Sequence, residues 1–316
     1  MDIHDLSIRN IAEFLCGDNY TLVNLMQVCK RFYALRDIFI GQICLNDRET
    51  TNAYHRRPYG WNKVHLMHFF AASYLRDVSA LSALRYIVFS NCLGITDVSP
   101  LSKVSRLYFI GCHNITDVSP LGRVPRLKLT NCSGITDVSS LSGVHSLSLT
   151  SMSGIEDVSG LGSVHTLEIR WCFLINNFSK LNGVYDLSLE NCQLDDVSGF
   201  SGIHFLHLSD CLNIDDYTPL RNVHTLAILF SNISDVSPLS KIHDLTLDGC
   251  HHLVDVSPLS SVHTLTLAHC HALVDVSPLS GVNTLTIKYC ARVEDITSLS
   301  DVPHLRFKLY EGLWGL

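Results

Sequence analysis

Apolar and polar positions recur along this chain with a period of twenty. The phrase seen whole from Val262 to Gly281, VHTLTLAHCHALVDVSPLSG, returns almost end to end from Val64 to Leu309. Its first apolar position falls on Val64, Leu84, Val104, Val124, Val144, Val164, Val184, Ile203, Val223, Ile242, Val262, Val282 and Val302, thirteen units spaced by twenty residues and twice by nineteen. A fixed period of this length predicts a solenoid, in which each unit buries its apolar face only against its neighbours. The L-x-L alternation predicts a strand whose second and fourth residues turn inward, Leu147 and Leu167 among them. Strands of successive units in register pair into a parallel sheet with a spacing of about 4.8 Å. The second half of each unit, Asp-Val-Ser-Pro-Leu, predicts a tight return with Ser as cap and Pro at the first position of a single helical turn.

The full pattern, V-x-x-L-x-L-x-x-C-x-x-I/L-x-D-V-S-P-L-S-x, resembles a leucine-rich repeat of the cysteine-containing type. The resemblance implies an α/β solenoid over residues 64–309, right-handed, of about thirteen units, with its parallel sheet on the concave face. The near-identical copies also look like repeat proteins encoded by large DNA viruses of protists. The run ITDVSPLS, from Ile95 to Ser102, is similar to internalin-type repeats as well, which would imply a bacterial adhesin. The Met1–Asp5 start, without a basic and apolar leader, and a column of thiols weigh against that implication.

Residues 1–45 lack the repeat and carry helical spacing instead. Ile8, Ile11, Phe14 and Leu15 form one apolar stripe; Leu22, Leu25, Val28, Phe32 and Leu35 form another beyond Gly17-Asp18-Asn19. So short a segment buries its apolar side chains only against another surface. The run Leu22-x-x-Leu25-x-x-Val28-Cys29-Lys30-Arg31-Phe32-Tyr33-x-Leu35 resembles the second half of an F-box, although the Leu-Pro that usually opens that family is absent. The resemblance implies docking of a Skp-family adaptor, and a cullin through it, by Ile11, Leu15, Leu22, Leu25, Val28 and Phe32, with Lys30 and Arg31 at a polar rim. The other reading makes these helices a cap on the open end of the rod. Residues 46–63 are polar and read as a connector with an N-terminal cap, and 310–316 as an apolar C-terminal cap.

Composition narrows the classes. With 47% apolar and 17% charged residues, and no uncharged apolar run near eighteen, the chain reads as a protein with a large core and no membrane span. Its net charge of −7 is more than accounted for by eleven Asp in one repeat slot, from Asp77 to Asp295. No clustered Lys/Arg run points to nucleic acid. Nine of the twelve cysteines share another slot, from Cys92 to Cys290, with Met152 and Ser231 in two of its gaps. A buried column of free thiols suits a reducing compartment, cytoplasmic or nuclear, in a host cell if the chain is viral. No Cys-x-x-Cys pair occurs, so neither metal nor cofactor is expected there.

The Asp column, with Asn177 as its one substitute, reads as structural: each carboxylate accepts backbone N–H bonds from its own turn. Seven His share the second position of the unit: His65, His145, His165, His204, His224, His243 and His263. Stacked imidazoles of this kind bind metal or sense pH in some settings, or stand as neutral rings on a solvent flank. No catalytic constellation appears, so the chain is not expected to be an enzyme. What varies is the outward strand face, where Tyr86, Arg106, Tyr108, Arg126 and Lys128 combine aromatic and basic side chains as binding hot spots do. The late units carry mostly Thr there. An F-box followed by leucine-rich repeats looks like the substrate receptor of a cullin-RING (SCF-type) ubiquitin ligase, with those five residues on an unknown protein target. The alternative is an interaction scaffold with no ubiquitin link.

Overall fold

The computed structural model describes residues 42–45 and 66–308 and divides the chain into two compact units, Met1–Ser140 and Leu141–Leu316. In the first unit the strands are β1 (Gln42–Leu45), β2 (Leu66–Phe70), β3 (Tyr86–Ser90), β4 (Arg106–Ile110) and β5 (Arg126–Thr130). In the second they are β6 (Ser146–Thr150), β7 (Thr166–Arg170), β8 (Asp186–Glu190), β9 (Phe205–Ser209), β10 (Thr225–Leu229), β11 (Asp244–Asp248), β12 (Thr264–Ala268), β13 (Thr284–Lys288) and β14 (His304–Lys308). Within each unit every strand pairs in parallel with the next in sequence, as in Tyr86↔Arg106, Arg106↔Arg126 and Asp244↔Thr264. β1 lies inside the segment read as helical from the sequence, yet it pairs with β2 through Gln42↔Leu66. The helical reading therefore does not reach residues 42–45.

Strand formation follows from alternation. In β4 the burial pattern runs exposed, buried, intermediate, buried, exposed, so Leu107 and Phe109 point into the core while Arg106, Tyr108 and Ile110 face out. One turn of the chain buries seven apolar side chains, Val104, Leu107, Phe109, Cys112, Ile115, Val118 and Leu121, none more than 1% exposed. Each is worth roughly 1.5 to 3 kcal/mol for the larger side chains, so the rungs are held chiefly by what they bury against one another. The predicted inward residues Leu147 and Leu167 are likewise buried. Under β2 to β4 the fourth strand position is aromatic: Phe69, Phe89 and Phe109 stack with centroids 5.2 Å apart.

The return segment is a 3₁₀ turn, but its cap is not the serine. Asp97 Oδ1 accepts the Ser99 N–H at 2.8 Å, and the bond recurs from Asp77 to Asp295, with Asn177 taking the same role toward Ser179 at 3.2 Å. A carboxylate two residues upstream reaches this N–H without strain, which leaves the serine as donor rather than acceptor. Pro100 sits second in Ser99–Leu101, where it has no N–H to lose from the turn, and Leu101 N then bonds Val98 O at 2.9 Å. These bonds hold the carboxyls of Asp97, Asp117, Asp255 and Asp295 below the usual carboxylate range.

The other half-turn depends on the residue just after each strand from β2 to β13, which adopts a left-handed conformation whatever its type: Ala71, Asn91, Gly111, Ser151, Trp171, Phe230, His269 and Tyr289 all have φ between 50° and 64°. Its N–H bonds the last strand carbonyl of the next rung, Asn91 to Ile110 at 2.7 Å and Phe230 to Asp248 at 2.8 Å. A bulky residue at positive φ costs on the order of 1 to 3 kcal/mol, and the inter-rung bond with the packing around it is what imposes the conformation. Gly249 shows the constraint in reverse, since a Cβ there would stand 2.5 Å from the Phe230 ring. The two shortened units contract by different bonds: where Ile95 N reaches back three residues to Cys92 O, Leu194 N reaches back two to Cys192 O at 3.0 Å, and Ile233 N reaches back two to the Ser231 hydroxyl at 3.3 Å. Register across the first short unit is kept, with Asp186↔Phe205.

Candidate binding face

Since burial fixes the inward slots and hydrogen bonds fix the turns, freedom of side-chain choice is left to the exposed strand face. In the first unit this face carries Tyr86 on β3, Arg106 and Tyr108 on β4, and Arg126 and Lys128 on β5. All five lie within three consecutive strands, as the sequence predicts. Arg106 and Arg126 are register partners, as are Tyr108 and Lys128, so cations stand side by side one strand spacing apart. The Tyr86 and Tyr108 rings meet edge to face at 5.1 Å. Burial, together with the neighbouring Tyr108, pushes the Tyr86 hydroxyl up against the opposing pull of Arg106. Among the described residues no ion pair or side-chain hydrogen bond holds Arg106, Arg126 or Lys128. Two guanidinium forks and an ammonium thus stand open beside two aromatic rings, a donor set that matches carboxylate or phosphate.

In the second unit one face arginine is engaged. On β7, Arg170 pairs with Glu168 at 2.5 Å and reaches Glu190 of β8 at 3.2 Å, while Ser148 donates to Glu168 at 2.6 Å. That network closes on itself, and beside it burial lowers the His207 imidazole's proton affinity. Further along, Thr225, Thr246, Thr264, Thr266 and Thr284 share the face with Asp244 and Asp248 of β11, and β13 and β14 add Lys288, Arg306 and Lys308.

Two further sets of repeat slots carry chemistry, cysteines in both units and histidines in the second. The nine slot cysteines are free and buried, and the thiols donate to strand carbonyls, as Cys192 does to Ile169 O and Glu190 O at 3.6 and 3.5 Å. Burial pushes Cys132 and Cys211 up to about 11 and Cys192 up to about 12. Cys92, Cys250 and Cys290 go the other way, each lowered by a bond with a neighbouring slot thiol that outweighs burial, Cys112 for Cys92 and Cys270 for the other two, with Cys290 lowered to about 7. The histidines of the second position form a continuous stack, His145–His165–Tyr185–His204–His224–His243–His263, with centroids 4.6 to 4.9 Å apart. Sequence reading found the column but not its continuity, because Tyr185 breaks the histidine spelling while keeping the ring.

The predicted adaptor-docking residues Ile11, Leu15, Leu22, Leu25, Val28, Lys30, Arg31 and Phe32 lie outside the described residues, as do His65 and the cap at 310–316. No described helix is long and apolar enough to cross a membrane.

No protein-family model matches the chain, and no curated protein matches it. Among solved structures, an internalin of Listeria monocytogenes is similar at 21% identity, covering 75% of this chain and 83% of its own, with a TM-score of 0.48. The functional domain of InlJ from Listeria monocytogenes, which includes a cysteine ladder, is similar at 14% identity over 76% of this chain and 71% of its own, with a TM-score of 0.39. A leucine-rich-repeat protein of Leptospira interrogans shares 11% identity over 79% of each chain, with a TM-score of 0.45. The leucine-rich-repeat architecture of this chain stands on its own period, parallel register, buried leucine and cysteine slots and 3₁₀ returns.

Proposed function

We propose that this chain is a non-catalytic protein-interaction scaffold whose first unit binds an acidic or phosphorylated segment of another protein across β3 to β5. The observation that carries this reading is the open set of Arg106, Arg126 and Lys128 beside the Tyr86–Tyr108 pair. Arg170, an exposed arginine of the second unit, is already engaged by Glu168 and Glu190. Arg forks give bidentate bonds to such anions, and tyrosine adds rigid contact area at low entropic cost. Fluorescence anisotropy with a glutamate-rich peptide and with a phosphorylated version of a neutral peptide tests this. Arg106→Glu with Arg126→Glu should weaken binding at least about tenfold, the loss of a charge-assisted pair. Lys288→Glu with Arg306→Glu should leave it within about twofold. The opposite order would place the anion site in the second unit.

The F-box-like run from Leu22 to Leu35 supports a more specific form of the same reading. In it, the scaffold is the substrate receptor of a cullin-RING ligase, acting in cytoplasm or nucleus by holding its target near the ubiquitin-loading enzyme. Purified Skp-family adaptor should then bind the full chain, and Leu25→Asp or Val28→Asp should abolish capture. Adaptor that fails to bind the unmutated chain would leave the scaffold without a ubiquitin link.

A further inference from the structure

The ring stack of the second unit changes character at one step. His224 and His243 precede β10 and β11, and their rings are stacked at 4.7 Å with 20° between planes. After His165 and His224 comes a threonine, whose hydroxyl meets the ring Nδ1 at 3.3 and 3.1 Å. After His243 comes Asp244, and His243 Nδ1 lies 3.0 Å from its Oδ1. One ligating atom each of His224, His243 and Asp244 lies within 4.8 Å of the other two, and no other such trio of His, Cys, Asp or Glu occurs among the described residues. Both rings are exposed and the carboxylate is partly so.

We propose that His224, His243 and Asp244 form a binding site for a divalent transition-metal ion of the zinc class. Two imidazole nitrogens and a carboxylate are a borderline-soft donor set that favours zinc, cobalt, nickel and copper over calcium or magnesium. Tetrahedral zinc with bonds of about 2.0 to 2.1 Å holds its ligand atoms roughly 3.3 Å apart. Exposed rings on strand-initial positions close a gap of an ångström or so by side-chain rotation alone, with the backbone register fixed. Water completes the open coordination position. The parallel ladder supplies the preorganisation: Thr225↔Asp244 pairing sets the two histidines one strand apart on the same flank. The ion joins two successive rungs that are otherwise linked by backbone bonds and core packing, so it acts as a staple. This site is independent of the anion-binding face, lies in the other unit and uses none of its residues.

Titration of the full chain with cobalt(II), followed by its ligand-field absorption, and with zinc by calorimetry tests the assignment. One equivalent should bind with an absorption spectrum free of a thiolate charge-transfer band, and zinc should raise the thermal midpoint. Both His243→Ala and Asp244→Asn should weaken binding at least about tenfold, the scale on which loss of a metal partner acts. His145→Ala, at the end of the same stack, should change it by less than about twofold. A thiolate band, unchanged affinity in His243→Ala and Asp244→Asn, or an equal loss in His145→Ala would each overturn the site. Circular dichroism of the three variants identifies any loss that comes from unfolding, and Asp244→Asn preserves shape while removing the charge.

Discussion

The two units share one backbone recipe and differ in what they show. β3 to β5 and β10 to β12 have the same strand length, parallel register, carboxylate-capped 3₁₀ return and inward apolar residues at the second and fourth strand positions. On the exposed face the first trio carries Tyr86, Arg106, Tyr108, Arg126 and Lys128, and the second carries Thr225, Asp244, Thr246, Thr264 and Thr266. Stability is thus written in slots that repeat and recognition in slots that vary. Beneath the faces lies a second difference: the first unit has the Phe69–Phe89–Phe109 stack where the second has Leu208, Ile228, Leu247 and Leu267. The aromatic stack ends at β4, since β5 has Leu129 at the same position.

If the core is common to both units, removing it should cost the same in each. Leu107→Ala and Leu245→Ala, at 0% and 1% exposure, should each destabilise by roughly 2 to 5 kcal/mol in denaturant unfolding. Thr246→Ala on the open face should cost well under about 1 kcal/mol. A large asymmetry between the two leucines would break the claim of a shared core. The aromatic floor sharpens the contrast: Phe89→Leu should lose about 0.5 to 1.5 kcal/mol of ring–ring interaction beyond its volume change.

Acid should act on both units alike, through the turn carboxylates. Their folded pKa values lie below the ordinary 3.8, so they contribute stability that is fully present above that value. It is lost as pH falls from about 4 through the lower folded values, because the protonated carboxyl is a poorer acceptor for the turn N–H. Asp97→Asn and Asp255→Asn should keep the fold, as Asn177 does naturally, and should each reduce the acid sensitivity of unfolding. Acid unfolding unchanged by such substitutions would remove the ladder from the account.

The smallest effect concerns the thiols. Native alkylation should be slow throughout, since Cys132, Cys192 and Cys211 are both buried and poorly ionised at neutral pH. Cys290 should react first, its thiolate favoured by Cys270. Mass-spectrometric mapping of partial labelling checks the order, and rapid modification of the central thiols would contradict it.

Strand phase, the cysteine column and the turn acceptors were legible because each recurs at one spacing with one residue type and has a single physical job. The left-handed residue after each strand was not, because Ala71, Trp171, Phe230 and Tyr289 share no chemistry; the inter-rung N–H bond imposes the conformation on all of them. β1 escaped because its partner in β2 lies outside the twenty-residue spacing. The serine cap was misread for a related reason: Asp and Ser both cap helical turns, and only the position of the N–H decides which one accepts it. The five face residues were legible as a patch, but the closed Glu168–Arg170–Glu190 network needed the structure, since strand pairing brings Glu190 to Arg170.

The central claim is that recognition resides in the exposed slots alone, and transplanting them tests it most directly. The recipient is the full chain already carrying Arg106→Glu and Arg126→Glu, with Thr225→Tyr, Asp244→Arg, Thr246→Tyr, Thr264→Arg and Thr266→Lys added to reproduce the β3 to β5 arrangement on β10 to β12. Anisotropy with the same acidic and phosphorylated peptides should show binding restored to within about tenfold of the parent chain, at an unchanged far-ultraviolet spectrum. A folded chain that fails to bind would contradict the account, because the slots would then carry recognition only together with what surrounds β3 to β5.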